Sequence, residues 1–175
     1  DGVLQPFLGA QPVLPGTLRD RERLVGLLDP RTDLVVQLGA QRLEMGGGLV
    51  GVHATDAFKK SDVYWRLLGG RFTTHRGGEF TIRIMDEKHP VTAPFGDFRI
   101  HDETYQNEYH PKFKLRSLFR MDRGQEQQSM GWVQDYGRGR VFNTTLGHDD
   151  KAWKSEAFQN IVRRGIYWAA GRKPK

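Results

Sequence analysis

Gly46-Gly47-Gly48-Leu49-Val50-Gly51-Val52-His53-Ala54-Thr55 reads as a buried β-strand that runs out onto an imidazole. Apolar residues at Leu49, Val50 and Val52 fall on both faces of the strand, the pattern of a parallel strand covered on both sides. Small residues at Gly51 and Ala54 permit a sharp turn from strand into helix. His53 then stands at the carboxyl end of a strand, where open α/β sheets bind their ligands. The alternative for such a residue is a core histidine bonded to a carbonyl.

Toward the N-terminus, Leu34-Val35-Val36-Gln37-Leu38 is a short, nearly all-apolar run that predicts a second buried strand. Only eight residues, Gly39 to Gly46, separate the two, and a parallel crossover needs about a dozen or more. Either the two strands are not sheet neighbours, or a segment is absent near Gly39–Met45. Before them, Thr17 is placed to cap a helix through Leu28, ended by Asp29-Pro30. Residues 1–17 carry Pro6, Pro12, Pro15, Gly2, Gly9 and Gly16 and predict irregular chain.

Toward the C-terminus, Ser61 caps a predicted helix to Leu68, with Gly69-Gly70 as its stop. The period then changes to two over Phe80–Ile84, Phe98–His101, Lys114–Leu118 and Met130–Gln134. Tyr136-Gly137-Arg138-Gly139-Arg140 predicts a tight reversal into the strand Val141–Leu146, a late β-hairpin. Ser155 caps a last helix through Ala170, with Phe158, Ile161, Val162, Gly165, Ile166 and Trp168 inward. The order predicts one three-layer α/β domain with a mixed sheet over residues 1–175.

The chain has 175 residues and no Cys, which excludes disulfides, thiolate metal sites and a cysteine nucleophile. Lys and Arg number 27 against 21 Asp and Glu, for a net charge of +6. Seven basic residues and one acidic residue lie in 151–175 and account for that excess. A basic helix and tail of this kind predict a solvated surface, not a nucleic-acid groove lined with stacking aromatics. No apolar stretch approaches the ~20 residues of a membrane span. Expected partners are therefore neither nucleic acid nor membrane. The chain is expected to be soluble, in the cytoplasm or exported after signal removal, with homo-oligomerisation left open.

Several polar groups sit at predicted strand ends. His75 follows the helix that ends at Leu68, in what reads as a surface loop, and Leu146-Gly147-His148 ends a strand on a histidine. In Phe98-Arg99-Ile100-His101-Asp102-Glu103-Thr104-Tyr105, alternation puts His101, Glu103 and Tyr105 on one face and Asp102 on the other. Two carboxylates and a histidine so close can perform general acid/base chemistry or bind a divalent cation, and equally can be a solvated strand end. Arg138 and Arg140 flank the hairpin and can clamp an anion. His89-Pro90 and His110-Pro111 read as turn residues. Trp65, Tyr105 and Trp153 are the aromatic platforms a binding site would use.

Gly46–Ala54, Leu67-Leu68-Gly69-Gly70-Arg71-Phe72 with His75, His89-Pro90-Val91-Thr92, Asp102-Glu103 with Tyr105, Met130 and Trp132 with Tyr136-Gly137 and Gly139–Phe142, Leu146-Gly147-His148, and Gly165-Ile166 with Trp168-Ala169 together resemble the ThuA-like, trehalose-utilisation family. The resemblance runs from about Asp33 to Gly171. It implies a class I glutamine amidotransferase-like fold, a flavodoxin-like sandwich with a mixed, mainly parallel sheet. It also implies a role in bacterial metabolism of trehalose or related, including 3-keto, disaccharides. In glutamine amidotransferases the strand-to-helix elbow holds a cysteine; here it holds His53, so thioester chemistry is excluded. The front departs from the family pattern, which has a fuller first strand and a full helix before the Gly-rich strand.

These readings assign catalysis to His53, Glu103 and Asp102. Substrate binding falls to His75, Tyr105, His148 and Arg140. The candidate ligands for a divalent metal ion are His53, His75, His148 and Glu103, and the expected small-molecule partner is a sugar. The reading from a different class is a non-catalytic sugar- or partner-binding module on the same scaffold.

Overall fold

The computed structural model describes residues 30–58, 60–112 and 114–174. A 15-residue helix, α1 (Pro30–Glu44), leads into β1 (Gly48–Val52) and a 3₁₀ turn (His53–Ala57). Then follow α2 (Asp62–Leu68), β2 (Gly70–Ile84), β3 (Phe98–Tyr109), β4 (Arg116–Asp122), β5 (Ser129–Tyr136) and β6 (Gly139–Thr144), and the chain closes with α3 (Asp150–Trp153) and α4 (Glu156–Ala169).

The six strands form one sheet in the order β1-β6-β5-β4-β2-β3. Among the described residues only β1 and β6 pair in parallel; the other four pairings are antiparallel. The expected mainly parallel sheet is therefore corrected to a mixed, mostly antiparallel one. The reason lies in the connections: β4–β5 and β5–β6 are joined by short reversals, which can only link antiparallel neighbours.

A second correction concerns Leu34–Leu38, which belongs to α1 and not to a strand. Val36, Ala40 and Leu43, spaced four and three apart, are the buried stripe of that helix, while Leu34, Val35 and Leu38 are exposed. With a helix here no crossover is needed, and the reason for supposing a lost segment near Gly39–Met45 disappears. The full helix before the Gly-rich strand is present after all. The predicted irregular segment 1–17 and the helix from Thr17 to Leu28 lie outside the described residues.

Other elements match expectation. Ser61 Oγ accepts from Tyr64 N–H at the start of α2, and Gly69 ends it with φ +82°. The hairpin closes between Tyr136 and Gly139. Ser155 Oγ caps α4 by accepting from Phe158 N–H. Ile166, expected inward, is 52% exposed.

Two apolar clusters hold the sheet. Phe142, Phe158, Ile161, Val162, Phe119 and Leu118 lie in the larger, and Val141, Tyr136, Ala40, Leu43, Leu67 and Leu68 in the smaller. Val141 and Phe142 are successive residues of β6, so the clusters cover opposite faces of the sheet. Gly165 permits the close approach of α4, since a Cβ there would lie 2.2 Å from the Phe142 ring.

β1 and β3 are the two ends of the strand order, yet His53, just past β1, meets Glu103 and Tyr105 of β3. The sheet therefore curls until its two edges face one another across a small polar centre.

Candidate functional site

His53 is delivered by an unusual turn. It has φ +49°, a left-handed conformation that few non-glycine residues adopt, histidine being among those that do so most readily. Thr55 secures the turn, its Oγ1 accepting from Val52 N–H (2.9 Å) and donating to the Val52 carbonyl (2.8 Å). Tyr64 Oη donates to the Thr55 carbonyl from α2 (2.9 Å). Gly51 is needed beneath it, because a Cβ would strike the buried Asn143 Oδ1 at 1.9 Å.

The imidazole is oriented by its back edge. Nδ1 stands 3.1 Å from the Thr145 carbonyl oxygen, which can only accept, so Nδ1 carries the proton and Nε2 offers its lone pair. Nε2 faces Tyr105 Oη at 3.1 Å, His148 Nδ1 at 3.2 Å and Glu103 Oε2 at 3.6 Å. His148 Nδ1 is 3.3 Å from Glu103 Oε2, and His75 Nδ1 is 3.1 Å from Glu103 Oε1. The structure thus brings together His53, His75, Glu103, Tyr105 and His148.

His75 is on β2, not in a surface loop as its sequence context suggests; it pairs with Tyr105 across β2 and β3. The strand runs on from Gly70 because Phe72-Thr73-Thr74 are aromatic and β-branched residues that fit a pleated surface. Phe72 packs its ring 4.5 Å from Tyr105.

The side chains of His53 and Glu103 are 16% exposed, those of His75 and His148 nearly half exposed, so the centre opens to solvent on the His75–His148 side. Burial, with the charge of Glu103 adding to it, pushes the Tyr105 phenol up to about 12. Tyr105 is therefore a neutral hydroxyl that donates to the His53 lone pair.

Asp102 does not face His53. Its Oδ2 accepts from Gly147 N–H (2.6 Å), and its Oδ1 from the N–H groups of His148 (3.0 Å) and Glu103 (2.8 Å). It positions the loop that carries His148. Arg140 is also away from the centre: it pairs with Gly48 at the start of β1 and β6, whereas His53 follows the Val52–Thr144 pair, roughly 13 Å along the strands. Arg140 donates to the Trp168 carbonyl at 3.2 Å and lies over the Trp168 ring. His89 and His110 accept from Val91 and Lys112 N–H groups within their own turns, as expected of turn residues.

Sequence reasoning did not find the Thr145 carbonyl, nor Asp56 and Asn107. Asp56 is 1% exposed and accepts from Asn107 Nδ2; burial raises its carboxyl to about 6, against the pull of that bond. This bond ties the His53 turn to β3 two residues beyond Tyr105. The i to i+3 spacing of His53 and Asp56 carries no motif that would have marked it.

Among the described residues, His53, Glu103 and His148 form a set whose ligand atoms converge. The donor separations of 3.2, 3.3 and 3.6 Å compare with ~3.4 Å between ligands of a tetrahedral ion bound at ~2.1 Å. The Nδ1–H bond to Thr145 is the outer contact that a ligating imidazole uses to fix its tautomer. The residues therefore fit a divalent cation.

A family model described as trehalose utilisation, ThuA, matches residues 29–169. Among solved structures, the chain is similar to a ThuA-like protein from Parabacteroides merdae (23% identity, TM-score 0.67, 77% of this chain and 64% of that one). It is also similar to a ThuA-like protein from Bacteroides uniformis (20% identity, TM-score 0.62, 79% of this chain and 66% of that one). A β-galactosidase from Rahnella shares the fold over 75% of this chain and 20% of its own (12% identity, TM-score 0.56). The chain spans just under two thirds of the length of the two ThuA-like proteins. No curated protein matches by sequence.

Proposed function

Because the chain belongs to the ThuA, trehalose-utilisation, family, we propose that it is a carbohydrate-acting enzyme whose centre is a divalent-cation site formed by His53, Glu103 and His148. The single observation behind this reading is the mutual spacing of their three donor atoms. A bound ion would supply Lewis-acid polarisation of a sugar carbonyl or hydroxyl oxygen.

The chain's own groups do the rest. With the His53 lone pair turned to the ion, the neutral Tyr105 hydroxyl would be released to donate a hydrogen bond or a proton to a sugar oxygen. His75, half exposed and paired with Glu103 Oε1, accepts a proton and holds the carboxylate in orientation. An imidazole acceptor beside a polarised carbonyl suits proton abstraction from the neighbouring carbon, the step that an oxidised, 3-keto disaccharide presents. Helices on both faces of the sheet support the three-layer, amidotransferase-like arrangement, with glutaminase chemistry excluded by the absence of Cys.

The test is metal content by elemental mass spectrometry on protein purified without chelator or an affinity metal. Near-stoichiometric zinc or manganese in the wild type, lost in Glu103→Gln and His148→Ala variants that remain folded, is the expected result. Wild-type protein that takes up neither ion on reconstitution would overturn the metal centre.

A further inference from the structure

The centre opens toward the loop that follows β6, and that loop ends in α3 with Trp153 at its C-terminus. Trp153 is 41% exposed. Its ring is nevertheless held. Nε1 donates to the Gly147 carbonyl at 3.1 Å, one residue before His148, and Phe158 supports the ring from the core side in an edge contact at 4.9 Å. Asp149 locks the turn between them, its Oδ1 accepting from Lys151 and Ala152 N–H groups. A large apolar side chain fixed in place and left facing water has forgone burial that its neighbours obtain.

The other aromatic candidates are occupied. Arg71 lies 3.9 Å over the Trp65 ring, and Trp65 Nε1 donates to the Glu108 carbonyl. Trp168 carries Arg140 over its ring, Trp132 is fully buried, and Tyr105 is buried within the centre itself.

Resting on the sugar-acting reading above, we propose that Trp153 is the stacking platform that selects the substrate class of this site: a pyranose ring that lays its C–H face on the indole while its oxygens reach His148, His75 and Tyr105. Indole is suited to this because one face is apolar and polarisable while its N–H is already satisfied. A pre-oriented ring also loses little freedom on binding. Trp153 is a specificity residue and touches the substrate, not the reacting atoms.

The experiment is a trehalose titration of the zinc-loaded full chain by calorimetry and tryptophan fluorescence, comparing wild type with Trp153→Ala and Trp153→Phe. Wild-type binding weakened at least about tenfold by Ala and about threefold or less by Phe, at unchanged zinc content and with both variants folded at the assay temperature, is expected. The fluorescence change should vanish in both variants. Equal affinity in wild type and Trp153→Ala overturns the platform, as does zinc-loaded wild type that binds neither trehalose nor glucose. If the wild type holds no metal but its trehalose binding depends on Trp153, the metal centre fails and the platform stands.

Discussion

His53 Nδ1 lies 3.1 Å from the main-chain carbonyl of Thr145, so a strand end 92 residues away sets which nitrogen of the histidine faces the site. Asn tolerates the φ +49° backbone better than most residues but cannot place a nitrogen where Nε2 stands. His53→Asn should match the metal-free wild type in melting temperature to within a few degrees while turnover falls by at least about a hundredfold. Unchanged turnover on an oxidised disaccharide would remove His53 from the chemistry.

Tyr105→Phe separates proton donation from metal binding. The variant should retain its metal while kcat drops about a hundredfold. Because the phenol is held near 12, its loss should leave the alkaline limb of the rate profile below pH 10 where it was. A shifted limb would mean that the tyrosine ionises during turnover.

Asp102→Asn places an amide where three N–H groups seek acceptors. A cost of about 2–3 kcal/mol is expected, a fall of roughly 5–10 °C in melting temperature for a chain of this size. Thermal unfolding measures it, and a companion loss of metal affinity would show that the His148 loop has moved.

Asp56 predicts a pH dependence of stability. Its folded-state pKa is raised from 3.8 to about 6, mainly by burial, so the folded chain binds this proton more tightly than the unfolded chain. The contribution is complete below about pH 4 and is lost as pH rises through about 6, by up to about 3 kcal/mol. Urea unfolding of wild type and Asp56→Asn should show the wild type losing stability relative to the variant between pH 4 and pH 7. Parallel curves would place the Asp56 pKa at its ordinary value.

Much of the centre was legible because strand ends and alternation are local properties. His53 after β1 and His148 after β6 follow from their places at strand ends, and Glu103 with Tyr105 on one face of β3 from period-two reading. Leu34–Leu38 misled because a run of five residues, four of them apolar, fits a strand or a helix equally well; the wider spacing of Val36, Ala40 and Leu43 held the helical signal. Arg140 was misplaced for a different reason. Its position depends on register, since it pairs with Gly48 and so sits at the far end of the strand from His53. The bonds from Asp102 and Thr145 join segments 45 or more residues apart and leave no local trace.

The curl of the sheet gives the centre a mechanical meaning. Its donors come from beyond one outer strand (His53), from the other outer strand (Glu103) and from the loop after the inner strand β6 (His148), with intervals of 50 and 45 residues between them. An ion shared by the three would act as a rivet across the rims of the sheet, closing two long loops at once and adding its binding free energy to that of folding. The apo chain would then unzip first where β1 and β3 face each other, exposing two unpaired strand edges to aggregation. Loss of metal would therefore cost the protein its survival as well as its turnover.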